Sequence, residues 1–376
     1  MGASGSPSLA RVVLFGCGGV GQALLRQIVR LHKTHKSCVP VFAVCDSKFM
    51  LTATNDIKAL DNELLERIVS IKQEGTSLDA LASAEGVTVQ PADMGLEGIM
   101  ADAVHRAILV DCTASEATGT TLATWAEKGG AVVLANKKPT TGHMALFNRL
   151  TVNPAKFRCE STCGAGMPIM AAVGRIVRSG DTIHKISGAF SGTLGFVMSG
   201  LEAGKSFSAV VTEAKALGFT EPDPRDDLGG TDVARKALIL ARAIGWPLEL
   251  HDVKVESLYP STMAPDVMSL DEFMATGLKQ LDPTIQVQVD AAAAKGEVLR
   301  YAATVEDGMC KVGLVSVPKS TPLGSLSGTD NLMELRSDCF HPNPLVLQGR
   351  GAGTEATASG VLADILELGD DSAFLA

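Results

Sequence analysis

The feature that most constrains the fold is the stretch that begins at Arg11. A short apolar run, RVVLF, leads directly into Gly16-Cys17-Gly18-Gly19-Val20-Gly21, and QALLRQIVRLHK follows with helical spacing of its apolar residues. A glycine-rich turn between a strand and a helix is the βα unit that opens a parallel sheet. The first two glycines let the backbone turn tightly and approach a pyrophosphate, and Gly21 lets the helix pack close to the strand. The free N–H groups of the helix N-terminus then face the anion. Gly16, Gly18, Gly19, Val20 and Gly21 are therefore expected to bind a dinucleotide.

The next strand reads VPVFAVCD and ends at Asp46, 25 positions past Gly21. An acid there suits the ribose hydroxyls of NAD. Ser47 and Lys48 follow at once and suit the 2′-phosphate of NADP, so the residues alone leave both cofactors open. Residues 55–85 read as helix and polar crossover without evident chemistry. Two further apolar strands follow. AILVDCTAS ends at Asp111-Cys112-Thr113, and AVVLANKKP ends at Asn136-Lys137-Lys138. Ligands of an open parallel sheet lie outside the carboxyl ends of its strands, which places Thr113, Asn136 and Lys137 at the cofactor crevice.

The pattern changes near Thr151. FRCESTCGAGMPIMAAVGRIV sets Glu160 ahead of Gly164, Gly166 and Pro168; this is either a plain Gly-Pro turn or a carbonyl-exposing loop suited to a monovalent cation. HKISGAFSGTLGFVMSGL reads as strand, small-residue turn and helix start, with Gly192-Thr193 offering N–H groups and a hydroxyl to a carboxylate. The stretch AKALGFTEPDPRDDLGGTDVARK, Ala214 to Lys236, is stiffened by Pro222 and Pro224 and dense in acids. It runs into a helix whose apolar positions Val233, Ala237, Leu240 and Ile244 are spaced four, three and four apart. Thr231 is expected as its N-cap and Gly245 as its stop. Asp232 and Lys236, four apart, share one face. Such a loop can hold a small cationic, amino-acid-like ligand beside a proton donor.

Beyond this helix QVQVD, VLRYAATV and MCKVGLVSVP read as strands, the last two joined by a turn at Glu306-Asp307-Gly308. This is an antiparallel α+β layout, unlike the βαβ first half. NPLVLQGRG then leads through Gly353-Thr354 into a last helix that returns to the first domain. The expected fold is α/β: a Rossmann-type doubly wound parallel sheet over residues 1–155, completed by 345–376, with an α+β substrate-binding and dimerisation domain over 156–344.

Composition narrows the partners. A formal charge of −9 argues against nucleic acid and anionic membrane, and no apolar run is long enough to span a bilayer. The eight cysteines are scattered without a CxxC pair, as expected of reduced thiols in a reducing compartment. The first ten residues, MGASGSPSLA, look like a flexible lead-in. The cytoplasm is the expected location, or a plastid if a transit peptide has been removed.

The Ala214–Lys236 stretch closely resembles the signature of homoserine dehydrogenases. Ala214, Gly218, Asp223-Pro224, Asp227-Leu228, Gly230, Asp232 and Lys236 fall on that pattern, and the resemblance extends from about Arg11 to Leu368. It is nearest to a plant-like module without an aspartate kinase region or a C-terminal regulatory domain. The resemblance implies reversible reduction of L-aspartate 4-semialdehyde to L-homoserine, with NADP(H) preferred over NAD(H), in the biosynthesis of threonine, methionine and isoleucine. It implies Lys236, Lys137 and Asp232 as catalytic residues, with the two lysines drawn from the two domains. It implies Gly192, Thr193, Glu221 and Asp227 on the substrate, and Thr113, Lys137 and Gly353, with Asp46 and Lys48, on the cofactor. It implies a Na⁺ or K⁺ held by the Glu160 carboxylate and the backbone oxygens of Cys163, Ala165 and Met167, and a homodimer. Phe219 stands where many members have Tyr, so a phenol contact to substrate is absent. Another Rossmann oxidoreductase of a small aldehyde would need a Cys/His pair with a supporting motif, and none is evident. A non-catalytic NADPH-binding module would be expected to lack Lys236 or Asp232, and both are present.

Overall fold

The computed structural model describes residues 10–34, 39–54, 59–101 and 107–369. The expected N-terminal lead-in and Cys38 lie outside them. The chain divides into two compact units, one running to Gly166 and resuming at Gly353, the other Met167–Ala352.

In the first unit β1 (Arg11–Phe15), β2 (Val41–Cys45), β3 (Phe49–Ala53), β4 (Val87–Pro91), β5 (Ala107–Asp111), β6 (Ala131–Leu134) and β7 (Phe157–Arg158) form one sheet in the order β4-β3-β2-β1-β5-β6-β7. The strands from β2 through β1, β5 and β6 to β7 pair in parallel. β3 and β4, on either side of the 55–85 crossover, add an antiparallel edge that the sequence reading did not include. Alternation along β1 feeds two cores. Val12 and Leu14 join Leu24, Ile28, Leu65, Ile68, Val361 and Ile365 on one face; Val13 and Phe15 join Leu109, Leu122, Trp125 and Leu134 on the other. Helices on both faces of a mainly parallel sheet make this the Rossmann-like arrangement. Each such large apolar side chain contributes about 1.5–3 kcal/mol by leaving water.

The second unit holds β8 (Ile183–Ala189), β9 (Lys254–Val255), β10 (Glu297–Glu306), β11 (Met309–Pro318), β12 (Asn331–Ser337) and β13 (Leu345–Gly349), ordered β13-β12-β8-β10-β11-β9. Pairing is antiparallel except between β11 and β9. Asp307 and Gly308 join β10 to β11 with positive φ, 52° and 73°, as a primed two-residue turn requires. The helices Gly192–Glu202, Thr231–Ala243 and Leu278–Ala293 pack against β10.

Two local expectations are corrected. QVQVD belongs to the Leu278–Ala293 helix, where Leu278, Leu281, Ile285 and Ala292 are the buried positions and the alternating Val287 is 68% exposed. Val287 and the half-buried Val289 fall on different sides of this helix, so their period-two spacing does not decide the element. Thr231 is the first residue of its helix, and Gly230 is the N-cap at φ 73°. A Cβ at Gly230 would run into the Tyr301 hydroxyl, so the chain enters this helix through a left-handed glycine rather than a capping hydroxyl. The expected stop is present: the helix ends at Ala243, and Gly245 follows at φ 89°.

Candidate active site

In the first unit the turn after β1 is tied to the end of β2 by the Gly16 N–H, which donates to Cys45 O at 2.8 Å. The helix Gly19–Thr34 begins inside the glycine run and carries no acid in its first turn, so nothing competes with an anion for its N–H groups. A Cβ on Gly21 would collide with the Gly16 carbonyl, whereas one on Gly18 would meet nothing within 4 Å. Gly21 thus serves close packing, and the backbone at Gly18 is open to a ligand. These residues fit a dinucleotide pyrophosphate. A Cβ on Gly19 would press on the Thr354 side chain, which brings Gly353 (φ 104°) and the start of the Thr354–Gly369 helix to the same turn. Glu355 secures that helix to Arg26 at 2.6 Å and to Gln27.

At the strand ends, one residue that the sequence reading left without a role organises the group. Asp111, fully buried, accepts from the Thr113 N–H at 2.8 Å, the Thr118 hydroxyl at 2.6 Å and the Asn136 amide at 3.0 Å. Asn136 also donates to Ser115 O, and its own oxygen caps the Lys137–Thr141 helix by accepting from the Lys138 N–H. Lys137 is the first residue of that helix, half-buried, with its carbonyl bonded by the Thr140 and Thr141 hydroxyls. Only its position at a strand end signalled Asp111.

Asp46 stands just past β2. Its Oδ1 accepts from the N–H groups of Lys48 and Phe49, both at 2.9 Å, and its Oδ2 from Lys72 Nζ at 2.9 Å, the Leu78 N–H at 3.2 Å and the Ser77 hydroxyl at 3.4 Å. Burial works to raise its pKa, and the hydrogen bonds outweigh it and bring it down to about 2. Ser47 and Lys48 are exposed. Burial pushes the Cys17 thiol, in the glycine turn, up to about 12, against the pull of Lys72 and with that of Asp46.

Glu160 is 7% exposed, and its N–H donates to the Asp364 carboxylate at 2.9 Å. Burial, with Glu160 nearby, pushes Asp364 up to about 8. Gly164 and Ala165 follow with φ of 82° and 55°; a positive φ at alanine is a conformation a side chain resists. A buried carboxylate and a left-handed run that turns successive carbonyls suit a monovalent cation. Met167, in the second unit, accepts from the Ile169 N–H at 2.7 Å. Among the described residues there is no cluster of three or more His, Cys, Asp or Glu side chains placed to hold a metal.

In the second unit the expected substrate residues converge. Ser191 caps the Gly192–Glu202 helix, accepting from the Leu194 N–H at 3.2 Å, so Gly192 and Thr193 form its first turn. The Thr193 hydroxyl donates to Phe219 O at 2.5 Å and lies beside the Asp227 carboxylate, whose pKa it works to lower. The Asp227 Oδ2 accepts from the Glu221 N–H at 2.8 Å. Burial raises the Asp227 pKa, and the charges of Glu221 and Asp232 add to the rise. The Lys236 side chain, 11% exposed, sends Nζ to Asp232 Oδ2 at 2.8 Å and to Phe190 O at 2.5 Å. Phe219 meets the Phe196 ring edge-on at 5.1 Å. The sequence reading also missed what fixes this loop. Arg225, 2% exposed, grips Asp223 in bidentate fashion, bonds the carbonyls of Met263 and Met268, and lies 5.0 Å over the Phe273 ring.

Residues 168–366 match the family described as Homoserine dehydrogenase, and residues 16–160 match Homoserine dehydrogenase, NAD binding domain. A bifunctional aspartokinase/homoserine dehydrogenase of Haemophilus influenzae is 38% identical over 94% of this chain, which spans 42% of that relative's length. A homoserine dehydrogenase of Emericella nidulans is 33% identical, with 94% of this chain and 97% of the relative aligned. A hyperthermophilic archaeal homoserine dehydrogenase solved in complex with NADPH shares the fold, at a TM-score of 0.71 and 23% identity over 96% of this chain and 97% of that one. Two matched domains that together cover most of the chain, and a relative alike over nearly its whole length, place this chain in the homoserine dehydrogenase family.

Proposed function

We propose that this chain catalyses the reversible reduction of L-aspartate 4-semialdehyde to L-homoserine with NADPH in preference to NADH. The observation that carries the reading is the Lys236 ammonium, sunk beside Asp232 at the head of its helix in the unit that also holds Thr193 and the bond from the Glu221 N–H to Asp227. Nicotinamide, when bound, would supply a hydride to the aldehyde carbon, or take one from the alcohol carbon in the reverse direction. As the carbonyl oxygen gains negative charge, Lys236 is placed to offset it and to deliver a proton. Asp232 orients the ammonium. Glu221 and Asp227 hold the substrate ammonium or hydroxyl, and the Gly192–Thr193 turn takes its carboxylate. Lys137, of the cofactor-binding unit, is the second candidate for the proton.

Preference for NADPH is supported by the exposed Lys48 and Ser47 beside β2 and by the archaeal homoserine dehydrogenase solved in complex with NADPH. We further propose Na⁺ or K⁺ at Glu160 with the backbone oxygens of Cys163, Ala165 and Met167, and a two-fold dimer built on the six-stranded sheet, the commonest closed symmetry. All described cysteines are free, which supports a reducing compartment, the cytoplasm or a plastid. No helix among the described residues is long and apolar enough to cross a membrane. The test is NADPH oxidation, followed by absorbance, on addition of L-aspartate 4-semialdehyde, with L-homoserine identified as product. An enzyme inert to that aldehyde while still binding NADPH would overturn the reading.

A further inference from the structure

The acid at the end of β2 is the residue from which a preference for NAD would ordinarily be read, because its carboxylate accepts the ribose hydroxyls. In this chain that carboxylate is already taken. A carboxylate offers about four acceptor sites on its two oxygens. Asp46 meets five donors: the N–H groups of Lys48, Phe49 and Leu78, the Ser77 hydroxyl and the Lys72 ammonium. Its side chain is 7% exposed, and that of Lys72 17%. Three of the five donors come from the far end of the Asn62–Gln73 helix and the turn after it. A ribose hydroxyl approaching from the glycine turn would have to displace one of them, and a buried donor left unpaired is costly.

We infer that Lys72 is a specificity-determining residue: by saturating and neutralising Asp46 it withdraws the acid from ribose recognition and opens the end of β2 to a 2′-phosphate. Lys72 acts through Asp46 and is a positioning residue. The local backbone agrees. The Lys48 N–H bonds back to Asp46, so the turn leaves the Ser47 and Lys48 side chains outward and exposed, while Gly16 is bonded to the strand end one residue before the acid. Without Lys72, a carboxylate freed at this place would repel a phosphate and attract ribose hydroxyls.

The inference rests on the reading that the Gly16–Gly21 turn binds a nicotinamide dinucleotide. Dissociation constants for NADPH and NADH are measured by calorimetry on the intact protein and on Lys72→Met, Lys72→Gln and Lys72→Met/Asp46→Asn, with thermal stability followed alongside. The wild type is expected to bind NADPH the more tightly. Lys72→Met is expected to lower the NADPH:NADH affinity ratio by roughly tenfold or more, since like charges brought together without a counter-ion repel strongly. Adding Asp46→Asn is expected to restore the ratio, because the freed charge is then gone. Lys72→Gln, which keeps a donor and loses the charge, is expected to fall between and serves if Lys72→Met does not fold. A fall in thermal stability with an unchanged ratio, or an equal loss for both cofactors, would reduce Lys72 to a structural role and overturn the inference alone. A wild type that prefers NADH would overturn it together with the NADPH reading.

Discussion

Lys236 and Asp232 stand one helical turn apart with Nζ and Oδ2 at 2.8 Å, yet their environments differ: the lysine side chain is 11% exposed and the aspartate 49%. The ammonium points inward to the Phe190 carbonyl, and the carboxylate remains in contact with solvent. A buried lysine bonded to a carboxylate and a carbonyl is held in one geometry, as a group that meets a developing alkoxide must be. The aspartate, being solvated, contributes orientation more than charge. Asp232→Asn is therefore expected to lower kcat by roughly tenfold while retaining the fold, which steady-state kinetics and circular dichroism would check. A loss as large as that from removing Lys236 would instead give Asp232 a direct part in proton transfer.

The pKa of Asp46 fixes a pH signature. Its folded value, about 2, lies below the ordinary carboxylate range. The stability it contributes is therefore present above about pH 4 and is lost as the pH falls through about 2. The exposed Ser47 and Lys48 let solvent screen the site, so the contribution is about 1–2 kcal/mol. Asp46→Asn should be less stable than wild type by about that amount at neutral pH, with the gap closing toward pH 2. Urea denaturation across this range measures it, and a gap independent of pH would refute the linkage.

Arg225 should behave as a clasp rather than a catalyst. Its guanidinium ties the Asp223 loop to the 263–273 segment through both carboxylate oxygens, two carbonyls and an aromatic face. Arg225→Met takes the guanidinium from the two carbonyls and leaves Asp223 only the backbone N–H of residue 225, and should cost about 3–5 kcal/mol of unfolding free energy. Arg225→Lys keeps the charge but not the planar fork and should fold with a raised KM for the aldehyde and unchanged NADPH affinity. Equal weakening of both ligands would mean that the clasp is not specific to the substrate loop.

Much of this site was legible because its signals are local. A glycine run between strand and helix, Asn-Lys at a strand end and Gly-Thr at a helix start each declare their geometry within a few residues. What escaped was non-local. Lys72 lies 26 positions from Asp46, and Arg225 lies 38 and 43 positions from the carbonyls it holds; no periodicity predicts such pairs. β3 and β4 stand on either side of the 55–85 crossover, and their antiparallel pairing across more than thirty residues is written in neither segment. The helix over Gln286–Asp290 reads as a strand because two valines spaced two apart, one exposed and one half-buried, mimic strand alternation. Thr231 lost the cap to Gly230 because the packing of Tyr301 against that position is invisible in sequence.

The loop after Glu160 carries the cation prediction. Glu160 is nearly buried, and the positive φ of Gly164 and Ala165 turns consecutive carbonyls. A monovalent ion is bound by such oxygens through charge and number rather than strict geometry. Glu160→Ala should lower activity and flatten its dependence on added KCl, with choline chloride as the ionic-strength control. An unchanged KCl curve in the variant would remove the ion from this loop.

The functional reading depends most on Lys236. Its helix is anchored by the buried Val233, Ala237 and Leu240, so the side chain's origin is fixed, and removing the ammonium should leave the backbone in place. If it delivers the proton or steadies the alkoxide, Lys236→Ala should lose roughly 10²–10⁴-fold in kcat, the range for a positioned acid–base group. NADPH affinity, read by fluorescence titration, should change little, because the glycine turn belongs to the other unit. Lys236→Arg separates charge from proton. Guanidinium stays charged but releases no proton near neutral pH, and its planar fork does not match the contacts of a compact ammonium to Asp232 and Phe190. Poor rescue by arginine is therefore expected. Near-normal turnover in Lys236→Arg would reduce Lys236 to an electrostatic role and move the acid–base assignment to Lys137.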